Sequence, residues 1–155
     1  MLNIAVIAVG KMKNKNLASE AAELLKRLSP YAKIRVEEIA AEPFRQESDK
    51  QKAKKAEAEK IIKALLKYPQ AEAYFLDERG AEKETAEFAK LIAKAESSQL
   101  VFIIGGTLGF DEKMIAGRKT LALSRLTLTH ETAKLLLIEQ IYRAACINLG
   151  KDYHY

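Results

Sequence analysis

Residues 100–110 read LVFIIGGTLGF, and this stretch decides the fold. Its first five residues are all large and apolar, which is typical of a strand that is buried on both faces of a parallel sheet. Glycines at positions 105, 106 and 109 follow directly. Because glycine has no Cβ atom, a ligand can approach the backbone closely at such a loop.

Strand and helix patterns alternate on both sides of this stretch. Before it, we predict strands over Leu2–Val9, Lys33–Ile39 and Ala73–Leu76, and helices over Leu17–Leu28, Ser48–Tyr68 and Glu82–Glu96. After it, we predict a short helix from Asp111 to Gly117, a strand over Lys119–Leu123 and a final helix over Glu131–Leu149. The alternation predicts an α/β fold, with a mostly parallel sheet and flanking helices in one domain of residues 1–155.

Three loops are predicted at the carboxyl ends of strands in the second half of the chain. They are Asp77–Gly80, Gly105–Gly109 and Ser124–His130. Parallel α/β sheets bind their ligands at this edge. An ordinary turn explains any one of the glycines, but the three loops together predict a binding site.

The composition bounds the class of protein. The apolar fraction of 48% and the charged fraction of 30% are those of an ordinary globular protein and exclude a disordered chain. Cys146 is the single cysteine, so no internal disulfide can form. No apolar run approaches the roughly 20 residues of a membrane span. The amino terminus lacks the order of charge and apolar residues of a secretory signal, and we therefore expect a cytoplasmic protein without membrane attachment.

The net charge of +5 permits a polyanionic partner. The charge is concentrated between Asp49 and Lys67, where seven lysines stand against three acidic residues. These lysines either form a solvated helix face or contact phosphate groups of a nucleic acid.

The final predicted helix is apolar around most of its circumference. Its four consecutive aliphatic residues, 135–138, cannot all face one side of a helix. Either this helix is central to the core of one chain, or it also packs against a second copy in an isologous homodimer.

Common nucleotide and metal motifs are absent from the sequence. Gly105, Gly106 and Gly109 do not have the dinucleotide-binding spacing, and the residues around Gly117 do not complete a phosphate loop. Two histidines and one cysteine form no convincing metal cluster, so we predict no metal.

Five ordered segments resemble one known family. They are FLDERG at 75–80, FIIGG with a further glycine at 102–109, LS-LTL-H at 123–130, EQ-YRA at 139–144, and Tyr153-His154. These segments closely resemble the RlmH family, which are ribosomal RNA large-subunit methyltransferases of the SPOUT class. The match covers nearly the full chain and is strongest after Leu76.

The resemblance implies a SPOUT-type fold with a trefoil knot in the C-terminal segment, and an obligate homodimer. It implies S-adenosyl-L-methionine as the methyl donor and 23S ribosomal RNA within the ribosome as the partner. The family methylates N3 of a pseudouridine in helix 69, at position 1915 in the standard numbering.

The resemblance also assigns residues to the donor site. By this resemblance Leu76 and Gly105 border the donor, and the segment Leu123, Ser124, Arg125, Leu126, Thr127 and Leu128 wraps it. The physical interpretation agrees, because adenine needs apolar walls together with backbone donors and acceptors.

Three further residues are candidates for catalysis. His154 is a candidate general base, because an imidazole titrates near neutral pH. Arg143 is suited to hold a phosphate or to stabilise negative charge on the base, and Tyr153 to stack on the pseudouridine. The alternatives are an ion pair of Arg143 with Glu139 one helical turn away, and a frayed carboxyl terminus.

Other functions remain open on the sequence alone. A SPOUT methyltransferase with another RNA target has the same motifs, and a non-catalytic ribosome-binding factor can retain the fold. A small-molecule α/β enzyme is the third alternative, which the missing nucleotide motifs disfavour.

Overall fold

The computed structural model describes residues 1–153. Its elements in chain order are β1 (Leu2–Val9), α1 (Lys15–Leu28), β2 (Ala32–Ile39), α2 (Glu47–Leu65), β3 (Glu72–Glu82), α3 (Thr85–Ala93), β4 (Leu100–Ile104), α4 (Glu112–Ile115), β5 (Thr120–Ala122) and α5 (His130–Asn148). One turn of 3-10 helix, Lys94–Glu96, extends α3.

The five strands form one sheet in the order β2-β1-β4-β3-β5, and each neighbouring pair is parallel. Every residue of β4 is buried, as expected for a central strand covered on both faces. The predicted α/β fold with a mostly parallel sheet and flanking helices is therefore confirmed. The C-terminal knot and the single domain over residues 1–155 stay predictions, and the strand order is consistent with such a knot.

Helices cover the two faces of the sheet unequally. Helices α1, α3 and α5 form one core with alternate residues of the central strands, which include Ile4 and Phe102. Helix α2 and the short α4 form the second core on the opposite face, where Ile7, Phe75 and Ile103 are fully buried. The apolar run of residues 100–104 thus supplies side chains to both cores.

The apolar circumference of α5 is explained largely within one chain. The helix packs between α1 and α3 over the sheet, and Leu137, Ile138 and Ile141 are fully buried. Lys134, only 6% exposed, lies one turn before Leu137 and Ile138 on the same side of α5, with its Nζ 2.5 Å from Glu38 Oε1. Leu136 is half-buried. The alternative that this helix is central to the core accounts for most of the pattern, and the homodimer stays a prediction.

Strand β3 is longer than the sequence predicts. Residues 77–80, expected as a loop, lie within the strand as a bulge, because Leu76 and Ala81 both pair with Leu121 of β5. A Cβ on Gly80 would lie 2.6 Å from the backbone nitrogen of Leu121. Only glycine therefore lets the two strands approach this closely. No helix within residues 1–153 is long and apolar enough to cross a membrane.

Candidate functional site

A cleft of about 570 Å³ opens at the carboxyl edge of the sheet. Three segments form its walls: the start of the β3 bulge at 76–78, the loop at 104–110, and the connection from β5 into the first turn of α5. The volume lies within the range of small-molecule sites, roughly 300–1,000 Å³. The cleft therefore lies where the three predicted loops converge.

Seven of the eight residues predicted at the donor site line this cleft. They are Leu76, Gly105, Leu123, Ser124, Leu126, Thr127 and Leu128. Arg125 is the exception, because its side chain is not part of the wall and its Nε lies 3.0 Å from Glu82 Oε2. The structure thus brings these seven residues together in one cleft.

Gly105 and Gly106 of the glycine loop are tightly packed against neighbouring side chains. A Cβ on Gly105 would lie 3.2 Å from the Phe110 ring, and one on Gly106 would lie 3.0 Å from Val9 Cγ1. Gly109, with a φ of +73°, closes the turn by donating its N–H to the carbonyl of Gly106 at 3.0 Å. Glycine is thus required here for packing as well as for conformation.

Charged side chains hold the β3 bulge in place. The Arg79 guanidinium lies 3.1 Å from Asp77 Oδ2 and 3.1 Å from Glu112 Oε1 of α4. This hydrogen bonding to Arg79 holds the pKa of the Asp77 carboxyl below its usual range. Asp77 and Glu78 line the cleft, and Arg79 ties their segment to α4.

The third wall is fixed by the amino-terminal end of α5. Thr129 caps the helix and accepts the N–H of Thr132 at 3.2 Å. The His130 ring packs on Gly10, where a Cβ would lie 2.9 Å from Nε2. Glu131 accepts the N–H of Asn14 at 2.8 Å. Leu126 stands out by contrast, because it is 75% exposed at the mouth of the cleft.

Sequence reasoning did not single out Phe110, His130 or Glu131 as lining residues. His130 was already the last residue of the third predicted loop, which was the available signal. Its Nε2 lies 3.3 Å from the Lys11 carbonyl oxygen, so the ring has a structural contact as well as a place in the wall.

Two of the three predicted catalytic residues, Arg143 and Tyr153, lie far from the cleft of the same chain. Arg143 stands thirteen residues after His130 on α5, which at about 1.5 Å per residue is roughly 20 Å along the helix. Its guanidinium lies 2.7 Å from Glu139 Oε1 and 5.0 Å from the centre of the Tyr153 ring. The Tyr153 ring also packs edge-on against Tyr142 at 4.7 Å. The alternative pairing of Arg143 with Glu139 is present, and His154 lies outside the described residues.

Three of the seven lysines between Asp49 and Lys67 form ion pairs with carboxylates. Lys50, Lys60 and Lys67 lie within 2.7, 2.5 and 2.5 Å of Glu47, Glu42 and Glu37. Within residues 1–153 no ion pair involves Lys52, Lys54, Lys55 or Lys63. Gln51 Nε2 donates to Asp111 Oδ2 at 3.3 Å, which joins α2 to the residue after the glycine loop.

The part of the chain that the structure describes contains no group of three or more His, Cys, Asp or Glu side chains placed to hold a metal ion. The cleft is built from glycines, aliphatic side chains, hydroxyls and backbone groups. Such a wall is suited to bind a small organic molecule by shape and by hydrogen bonds to the backbone.

Comparison with known proteins gives one family over the whole chain. The model of the family described as "Predicted SPOUT methyltransferase" matches residues 2–154. A protein named ribosomal RNA large subunit methyltransferase H from Kosmotoga olearia is 39% identical, covering 99% of this chain and 100% of that protein. A protein of the same name from Symbiobacterium thermophilum is 38% identical, with 99% of each chain covered.

A solved structure shares the fold. It is that of a probable methylase family protein from Haemophilus influenzae Rd KW20, with a TM-score of 0.56 at 14% identity over 100% of this chain and 72% of that one. The two sequence relatives are also named methyltransferases, and they match this chain at much higher identity and over nearly its full length. This chain therefore belongs to the SPOUT methyltransferases and, within them, to the RlmH family.

Proposed function

We propose that this chain is a methyltransferase of 23S ribosomal RNA that uses S-adenosyl-L-methionine and modifies N3 of pseudouridine 1915 in helix 69. The observation that carries the proposal is the cleft, because seven of the residues expected at the donor site line this one cavity. The names of the full-length relatives support large-subunit ribosomal RNA as the substrate. A ribosomal substrate also favours the cytoplasm as the place of action.

The residues of the cleft fit the donor. Leu123, Leu126 and Leu128 supply apolar surface for an adenine ring. The glycine loop has no side chain that would block close approach to its backbone. When bound, S-adenosyl-L-methionine supplies a methyl group on a sulfonium, which is ready for in-line displacement.

The side chains proposed for catalysis act on the RNA base. Tyr153 stacks on the pseudouridine, and Arg143 stabilises the negative charge that develops on its ring. The proton of N3 must leave, and His154 is the proposed base. Alignment of the two reactants provides much of the rate enhancement, because methyl transfer from a sulfonium is an in-line displacement.

These roles require a second copy of the chain. Arg143 lies roughly 15 Å along α5 from Ala133, the last residue of this helix that lines the cleft of its own chain, a distance that no side chain spans. In an isologous homodimer with antiparallel α5 helices, Arg143 and Tyr153 of one chain approach the cleft of the other. The geometry thus favours a homodimer more strongly than the apolar circumference of α5 does.

The first experiment is a calorimetric titration of the purified protein with S-adenosyl-L-methionine, followed by mass-spectrometric mapping of RNA methylated by it. Saturable binding with methylation at pseudouridine 1915 is the expected result. Methylation at another nucleotide would show a SPOUT enzyme with a different target. Absence of binding, with ribosomes present as well as without, would instead favour a non-catalytic ribosome-binding factor.

A further inference from the structure

A glutamate occupies a core position behind the glycine loop. Glu57 lies on the buried side of α2 with Ala53, Ile61 and Ala64, and it is only 5% exposed. Burying a carboxyl group costs free energy unless both of its oxygens find partners. An aliphatic residue would pack at this position without that cost.

The two oxygens of Glu57 have different surroundings. Oε1 accepts the N–H of Glu42 at 3.0 Å, in the segment that follows β2. Oε2 is the one buried side-chain oxygen or nitrogen within residues 1–153 that has no hydrogen-bond partner. A Cβ on Gly106 would lie 3.2 Å from this atom and 3.0 Å from Val9 Cγ1. The carboxyl therefore spans from the end of β2 to the loop after β4, beside the end of β1.

Two charged groups face this carboxyl. Glu42 lies beside it, and Lys60 lies 2.5 Å from Glu42 Oε1 while donating to the Ala40 carbonyl at 3.0 Å. Burial, as the main cause, raises the pKa of Glu57. A protonated carboxyl can donate an O–H from Oε2 to a backbone carbonyl, which a carboxylate cannot do.

We propose that Glu57 is a positioning residue for the donor cleft. Its Oε1 is fixed by the Glu42 N–H, and its Oε2 hydrogen-bonds to the Gly106 turn when a donor contacts the other side of that turn. The glycine loop is only one residue thick here, since Gly106 lines the cleft and also packs on Glu57. This inference rests on the proposed function, because it assigns Glu57 to the same cleft.

The test measures ligand affinity separately from folding. The probe is S-adenosylhomocysteine, titrated calorimetrically into the wild type, Glu57→Leu, Glu57→Gln and the control Glu59→Gln, an exposed glutamate on the same helix. Glu57→Leu keeps the core filled and is expected to bind about tenfold more weakly, the size of effect of one missing buried hydrogen bond. Glu57→Gln, which has one acceptor and one donor, and Glu59→Gln retain wild-type affinity at a pH below the pKa of Glu57.

The dependence on pH distinguishes this role from simple packing. If the protonated carboxyl supports the loop, wild-type affinity falls as the pH rises through the pKa of Glu57. Glu57→Gln lacks this fall, while the titration of the probe itself is common to both proteins. Equal affinity of folded Glu57→Leu and wild type, or identical pH profiles of Glu57→Gln and wild type, would overturn the inference.

Each failure points to a different conclusion. If Glu57→Leu does not fold, as thermal denaturation would show, the pH profiles of Glu57→Gln and wild type decide alone. If the wild type does not bind the probe, the proposed function fails and this inference fails with it. If the wild type binds and the Glu57 variants behave like it, only this inference fails.

Discussion

The two ends of helix α5 differ in their side chains and in whether they border the cleft. The amino-terminal end, from His130, forms part of a cleft whose walls are mostly glycines, leucines and backbone. Toward the carboxyl-terminal end, Arg143 of α5 contacts the ring of Tyr153, which follows the helix. The amino-terminal end thus borders a cavity that has few reactive side chains. The carboxyl-terminal end carries reactive side chains, and it lies away from that cavity. Under the proposed function, the two halves of the reaction site therefore lie at different ends of one helix.

Replacement of Arg143 tests this separation, and it has the largest expected effect on the rate of methylation. Arg143→Ala should lower methylation about 100-fold or more, as when one group that stabilises developing charge is removed. Affinity for the donor should stay unchanged, because the proposed role of Arg143 is toward the RNA base and not toward the donor. Single-turnover methylation of RNA and calorimetry with the donor measure the two quantities.

A mixture of two inactive proteins sharpens the test. Arg143→Ala and a cleft variant such as Gly105→Val, unfolded and refolded together, should recover about a quarter of wild-type activity, since half of the dimers then contain one intact composite site. Absence of any recovery, with sedimentation showing that mixed dimers form, would place both halves of the site on one chain.

Gly105→Val tests the cleft end by itself. A Cβ at Gly105 already lies 3.2 Å from the Phe110 ring, so two further methyl groups must either displace Phe110 or enter the cleft. We expect the donor to bind about 10–100-fold more weakly, which corresponds to the roughly 1–3 kcal/mol usual for overpacking a site. The control is Arg125→Ala, since that side chain is outside the wall. Its donor affinity should match that of the wild type in the same calorimetric titration.

The contrast between the ends of α5 also shows what the sequence could predict. Strands β1 and β4 were predicted to the residue, because continuous apolar runs that end in glycine leave few other structures. The converging loops followed from the same pattern. The predicted helix Glu131–Leu149 already implied that Arg143 lies roughly 18 Å along that helix from the third loop, at about 1.5 Å per residue. The contact of Arg143 with the Tyr153 ring could not be predicted, because a motif gives order along the chain and not separation in space.

The β3 bulge is the part of the site that the sequence pattern did not predict. The residues Asp77, Glu78 and Arg79 are polar and precede Gly80, which is typical of a loop. Their place in a strand depends on β5, whose Leu121 pairs on both sides of the bulge. Glu57 was concealed for a different reason, because a glutamate among lysines on a helix is usually solvated. Only the packing of Gly106 against it reveals a buried carboxyl.

The lysines of α2 give a smaller expected effect, on RNA and not on the donor. Replacement of Lys52, Lys54 and Lys55 by Gln should weaken binding of a helix 69 RNA and lower its salt slope by about 2–3, at roughly 0.7–0.9 for each phosphate that the protein no longer neutralises. Filter binding at several salt concentrations gives the slope. The matched control replaces Lys26, Lys83 and Lys90, which are exposed and lie on or beside α1 and α3; of the test set, Lys52 and Lys55 are also exposed and Lys54 is half-buried. Equal slopes for both triple variants would mean that the α2 lysines make no special phosphate contact.

The smallest expected effect concerns Arg79, which holds the β3 bulge against α4. Arg79→Gln removes the ion pairs with Asp77 and Glu112, and because Arg79 is largely exposed the cost in folding free energy should be about 0–1 kcal/mol at neutral pH. The pKa of Asp77 is lowered in the folded protein, so its contribution is present above the unfolded value and is lost as the pH falls through the folded value. Denaturation of wild type and Arg79→Gln should therefore differ at pH 7 and converge once the pH falls below the pKa of Asp77 in the folded wild type, where Asp77 is protonated in both. A difference that persists at low pH would instead mean that Arg79 acts by packing, and the bulge would then hold its shape at the cleft without its charges.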